Sequence, residues 1–114
     1  MSQKRALKRI QLRCRLDVYD AITEKGLGQV LDIHTAGLLL LSAEPLERNA
    51  SFNLRLALPE EICGKRAITF EGTSVWAKEE AEMGFHTTGF SMQNMSEENK
   101  AVITALIEMY GISK

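Results

Sequence analysis

The stretch Asp32-Ile33-His34-Thr35-Ala36-Gly37 is entered by Gly28-Gln29-Val30-Leu31 and left by Leu38-Leu39-Leu40-Leu41. Two apolar runs therefore flank a carboxylate, an imidazole, a hydroxyl and a glycine. In extended chain Asp32 and His34 share one face and Ile33 takes the other. Gly37 lacks a Cβ, which suits a turn or a close approach to the backbone. The segment thus presents a polar pair on the outside of a sheet, at a bend where a ligand can come near. Taken alone, the same residues also spell a plain turn in which Asp and Thr bond nearby backbone groups.

Working outward, Ile10, Leu12, Cys14, Leu16 and Val18 alternate with Gln11, Arg13, Arg15, Asp17 and Tyr19, the period of a half-buried strand. Arg13 and Arg15 are then expected to face outward and Cys14 to join the core. A turn at residues 23–26 leads to a strand over about 28–33, and the next strand spans 35–42. The Leu38–Leu41 run reads as buried on both faces. Phe52, Leu54, Leu56 and Leu58 alternate up to Pro59, which cannot donate to a ladder. A polar turn follows at 60–65, then a long strand over 67–78 with a bulge expected at Gly72-Thr73, and a last strand over 84–92.

After residue 92 the period changes. Ser96 suits a helix N-cap, Glu97 and Glu98 favour the positive end of the dipole, and Val102, Ile103, Leu106, Ile107 and Tyr110 recur at helical spacing up to Gly111. Six short strands and one amphipathic helix predict a mainly β fold, a six-stranded antiparallel barrel at residues 10–92 carrying a C-terminal α-helix at 96–111. At 114 residues the chain is expected to form a single domain.

The net charge of −1 conceals an asymmetry. Residues 1–15 hold six basic side chains and no acid, whereas the other 99 carry 8 basic against 15 acidic ones. Residues 1–9 are expected to be a flexible basic arm on an acidic body, a balance that suits a small anionic ligand rather than long nucleic acid. The longest apolar run is too short to span a bilayer, so no membrane insertion is expected. No signal-type segment follows the basic start, and Cys14 and Cys63 fall in no motif. Both are expected to be reduced thiols of a cytoplasmic protein.

Arg5-Ala6-Leu7-Lys8-Arg9 holds two arginines with three residues between them, and after a further twenty-two residues comes Asp32-x-His34-x-x-Gly37. This ordered pair resembles the PilZ domain family, whose signature is RxxxR followed by (D/N)xSxxG. Val75-Trp76 late in the long strand, Thr88-Gly89-Phe90-Ser91-Met92 and the terminal helix fit the same layout, so the resemblance covers essentially the whole chain. A second register, Arg9 to Arg13, also spells RxxxR, but Arg13 falls within the alternating strand.

The resemblance implies a barrel that binds cyclic di-GMP, a bacterial second messenger, and signals to an unidentified protein partner in motility, biofilm formation or surface attachment. It points to Arg5, Arg9, Asp32, His34 and Gly37 as ligand-binding residues, with Lys4, Lys8, Thr35 and Trp76 as accessory ones. Guanidinium groups fork onto phosphate oxygens or onto guanine O6 and N7, and a carboxylate suits the guanine N1–H and N2–H edge. His34 departs from the motif serine. Its ring can bond a base or phosphate, stack on a guanine, or fill the space the base needs.

Three other classes compete. A PilZ-type adaptor with weak or no nucleotide binding is favoured by His34 and opposed by Arg5, Arg9, Asp32 and Gly37. A single-strand nucleic-acid binder calls for aromatic platforms on a basic face, against 6% aromatics here. An enzyme or metal reading finds neither a nucleophile arrangement nor zinc spacing among His34, His86, Cys14 and Cys63. Neither catalysis nor a cofactor is therefore expected.

Overall fold

Apolar side chains at every second position make six segments amphipathic strips, and each hides its greasy side by pairing with the others. The computed structural model describes residues 10–12, 14–80 and 84–113. The arm expected over residues 1–9, with Lys4, Arg5, Lys8 and Arg9, lies outside them. The elements are β1 (Ile10–Leu12), β2 (Asp17–Asp20), β3 (Gly26–His34), β4 (Gly37–Ser42), β5 (Ser51–Ile62), β6 (Lys65–Glu80), β7 (Phe85–Met92), α1 (Glu97–Tyr110) and β8 (Gly111–Ser113). All pairings are antiparallel. They run β2-β5-β6-β7-β4-β3, and β3 pairs back with β2, closing a six-stranded barrel.

The first expected strand is in fact two. Gln11 pairs with Asp32 and Asp17 with Gln29, so six steps along the first strand face only three along β3. The surplus chain leaves the ladder between β1 and β2 and returns with the Leu16 carbonyl accepting from the Val30 N–H at 3.0 Å. Leu16 and Val18 are buried as the alternation required, while Cys14 is only half-buried. Arg15 is exposed and donates from Nε to Asp17 Oδ1 at 3.1 Å.

Three other expectations shift. β5 runs through Pro59 as far as Ile62, its register slipping between Ala57 and Ile62, a bulge that tolerates a residue without an N–H. The turn therefore shrinks to Cys63-Gly64. The bulge in β6 sits between Ser74 and Trp76 instead of at Gly72. Gly72 stays in register with Phe52 and Met92, and a Cβ there would stand 3.0 Å from Leu54 Cδ1 and 3.4 Å from Phe90 Cδ2. Finally, Leu38 and Leu40 face the core but Leu39 and Leu41 are half-buried on the outer wall, so the leucine run is buried on one face only.

The helix starts at the Ser96 cap, whose side chain accepts from the Asn99 N–H at 3.0 Å. Val102, Ile103 and Leu106 are buried with the barrel core. Asn99 Nδ2 donates to the Thr69 carbonyl at 2.8 Å, and the Tyr110 hydroxyl donates to the Glu60 carboxylate, tying both helix ends to the barrel. Gly111 ends the helix in extended conformation (φ −81°, ψ 145°), and the chain continues into β8, which pairs with β1.

Thr88 points into the barrel fully buried, and its Oγ1 finds no hydrogen-bond partner among the described residues. A buried hydroxyl left unmatched costs about 1–3 kcal/mol. Thr88→Val keeps the shape and removes that cost, so it should stabilise the fold by about 1 kcal/mol, read as a higher urea midpoint with an unchanged slope.

Candidate functional site

A β-bulge decides what the outer wall of β3 displays. Val30 pairs with Leu40 but Asp32 pairs with Leu39, leaving Leu31 without a partner across the ladder. Val30 and Ile33 can then both face the core, 7% and 0% exposed, although three residues apart. The extra residue turns Asp32 and His34 outward. Asp32 and His34 thus share the solvent face, with Ile33 opposite.

The register carries that face across five strands. Gln11, Asp32, Leu39, Gly89 and Trp76 form one row, from β1 through β3, β4 and β7 to β6. Three strand spacings, about 14 Å, separate the backbones of Asp32 and Trp76. The indole lies over Gly89, where an added Cβ would come 2.3 Å from Trp76 Nε1. Trp76 keeps 40% of its surface exposed, so it belongs to the outer wall. Asp32 at one end and the indole over Gly89 at the other leave Leu39 as the floor between them.

The next row holds His34, Gly37, Ser91 and Thr73. Thr35 and Ala36 make the two-residue connection, and the Met92 N–H donates to the Ala36 carbonyl at 2.9 Å, pinning the bend to β7. The Ala36 N–H donates to His34 Nδ1 at 3.1 Å, so the ring caps its own turn. Burial pushes the His34 pKa below the usual histidine range, while the Asp32 charge pulls the other way. The neutral ring is therefore the favoured form.

Gly37 has a reason of its own within the fold. A Cβ there would stand 2.8 Å from the Phe90 carbonyl oxygen, 3.5 Å from His34 Cε1 and 3.7 Å from His34 Nε2. Gly37→Ala should accordingly loosen the β4–β7 pairing and cost about 2 kcal/mol. Thermal melts without any ligand read this directly, and an unchanged midpoint would leave only a ligand to account for the glycine.

Of the sequence-derived candidates, the structure brings Asp32, His34, Thr35 and Gly37 together at one bend and sets Trp76 on the same wall. Arg5, Arg9, Lys4 and Lys8 lie outside the described residues. Strand β1 nevertheless places Gln11, two positions after Arg9 in sequence, directly opposite Asp32.

The sequence reading missed a groove of about 420 Å³ at the far end of the same hairpin, lined by Arg15, Asp17, Tyr19, Gly28, Gln29 and Phe85 among others. Its signal was Gly26-x-Gly28. Tyr19 lies against Gly26, with the Arg55 guanidinium 5.0 Å from the tyrosine ring centre. Among the described residues no group of three His, Cys, Asp or Glu side chains could hold a metal, and no helix is long and apolar enough to cross a membrane.

A family model described as the PilZ domain matches residues 3–109. Among solved structures the chain is similar to the Bacillus subtilis inhibitor of motility MotI/DgrA, with a TM-score of 0.71 and 17% identity. The match covers 95% of this chain and 52% of that one, so the chain spans about half the length of that protein. A likeness at this identity speaks for the fold. No curated protein matches the sequence.

Proposed function

This chain belongs to the PilZ domain family, and we propose that it is a cytoplasmic receptor for cyclic di-GMP that passes the signal to a partner protein. The observation that carries this reading is the β1–β3 register. It pairs Gln11, two positions after Arg9 in sequence, with Asp32, which supports a site served by both halves of a motif far apart in sequence.

The chemistry of that place suits the ligand. Arg5 and Arg9 supply forked donors for phosphodiester oxygens or for guanine O6 and N7. Asp32 offers a carboxylate to the guanine N1–H and N2–H edge. Trp76 offers an exposed aromatic face on the same wall, with Leu39 between. Binding draws the arginine segment against β3 and makes a new surface for the partner to read. The similar Bacillus protein is named an inhibitor of motility, and a role in motility or surface attachment is proposed for this chain as well.

A second reading has one observation in its favour. The His34 ring lies over Gly37, filling room that the family's serine would leave open. An adaptor that no longer takes nucleotide would look the same there. Calorimetric titration with cyclic di-GMP separates the two. Saturable binding with a Kd of about 1–10 μM, weakening as salt screens the phosphates, is the result expected of a receptor. The absence of heat with ligand at hundreds of micromolar would leave the adaptor reading.

A further inference from the structure

Ile22 is the most exposed large apolar residue among those described, with 75% of its surface open to water. The turn that carries it is tightly held. The Asp20 carboxylate accepts from the Ile22 and Thr23 N–H groups at 2.8 and 3.0 Å. The Glu24 N–H donates to the Asp20 carbonyl at 2.7 Å, and the Asp20 N–H donates to the Lys25 carbonyl at 2.8 Å. Ala21 is tied to β5 by donating to the Asn53 carbonyl at 2.8 Å. The isoleucine is therefore a fixed knob at the tip of the β2–β3 hairpin, and little backbone entropy remains to be lost when something covers it. At the root of the same turn lies a groove of about 370 Å³, lined by the apolar Leu27, Ala43, Pro45 and Leu46 together with the charged Lys25 and Glu44. Gly26 also lines it, and an added Cβ there would meet only Tyr19 Cε2, at 4.0 Å. The fold leaves room at Gly26 that it does not itself use.

We propose that this groove takes the Ile22 turn of a second copy of the chain, each copy inserting its turn into the other about a twofold axis. Knob and groove are neighbours, since Lys25 both follows the knob and lines the groove. One contact repeated by symmetry then fills both grooves close to the axis. The charges suit the same arrangement. Glu24 and Lys25 are exposed, and neither has an ion-pair partner among the described residues. Across a twofold axis Glu24 of one copy meets Lys25 of the other, and the pairing occurs twice. A second copy thus supplies both the apolar group and the two charges in the order the groove requires. Two isoleucines and two exposed ion pairs make less than a standard interface, so the dimer is expected to be weak, with a Kd of about 100 μM. The turn lies at the opposite end of β3 from Asp32 and His34, and this contact does not depend on the receptor reading.

Sedimentation equilibrium of the full chain, from about 10 μM to about 1 mM, tests this. The native protein is expected to pass from monomer to dimer across that range. Ile22→Asp should stay monomeric throughout with an unchanged melting temperature, because the side chain it replaces stands mostly in water. Gly26→Leu fills the groove and should do the same. Lys25→Glu sets like charges opposite each other twice and should weaken the dimer about tenfold. The double exchange Glu24→Lys with Lys25→Glu should restore it. A native protein that stays monomeric at about 1 mM overturns the proposal and leaves the turn and the groove to a different protein. A dimer that Ile22→Asp does not weaken forms through another surface and overturns it equally. So does a double exchange that associates no more tightly than Lys25→Glu alone. Should Gly26→Leu not fold, Ile22→Asp and the charge exchange decide by themselves.

Discussion

Arg9→Ala is expected to lower affinity for cyclic di-GMP at least about a hundredfold. A guanidinium on a phosphodiester makes two charge-assisted hydrogen bonds, each worth about 1.5–3 kcal/mol. Losing both accounts for about 3–6 kcal/mol, enough to take a micromolar ligand out of calorimetric range. Arg9→Lys should recover only part of the loss, because an ammonium keeps the charge without the planar fork. Arg15→Ala is the matched control. Arg15 is exposed and paired with Asp17, belongs to no motif and lines the groove at the far end of the hairpin. An Arg9→Ala isotherm no weaker than that of Arg15→Ala would remove RxxxR from the site and cyclic di-GMP from the proposed function.

Gly28→Ala is expected to be the most damaging single methyl in the described chain, costing about 3 kcal/mol of stability. An added Cβ would stand 2.2 Å from the Leu41 carbonyl oxygen, 3.0 Å from its carbon and 3.2 Å from Ser42 Cβ. These are mostly backbone atoms of the neighbouring strand, so no side chain can swing aside. Gly28 is also paired with Val18 on β2, which leaves β3 caught between two partners. Relief requires β3 to part from β4, β2 or both, and β3 carries Asp32 and His34. Gly64→Ala gives the scale for comparison. Nothing lies within 4 Å of its added Cβ, and only its left-handed φ of 78° is penalised, about 1 kcal/mol. Urea unfolding reads both. A Gly28→Ala midpoint no lower than that of Gly64→Ala would mean the barrel wall opens far more easily than its register implies.

Local signals were legible because their causes are local. Alternation placed Leu16, Val18, Ile33, Leu54 and Leu56 inside, since the period of a strand is a property of the chain itself. Ser96 with Glu97 and Glu98 announced the helix, since a cap acts within one turn. The RxxxR and Asp32-x-His34-x-x-Gly37 spacings pointed to the family for the same reason. What stayed hidden involves a partner strand. Nothing near Leu31 says that it will be the unpaired residue, and nothing near Val75 marks the bulge beside Trp76.

By itself, then, the sequence determined a mainly β barrel with one terminal helix, the inward face of most strands, and the residue types that spell the family's two motifs. Tertiary structure alone decided that Asp32, Leu39, Gly89 and Trp76 would share a row, that Gln11 would stand opposite Asp32, and that the His34 ring would lie over Gly37 with its acceptor nitrogen already engaged. The physical reason is closure. Six twisted strands must return β3 to β2 with every inner side chain packed, and the bulges that make this possible are set by the ring of pairings as a whole.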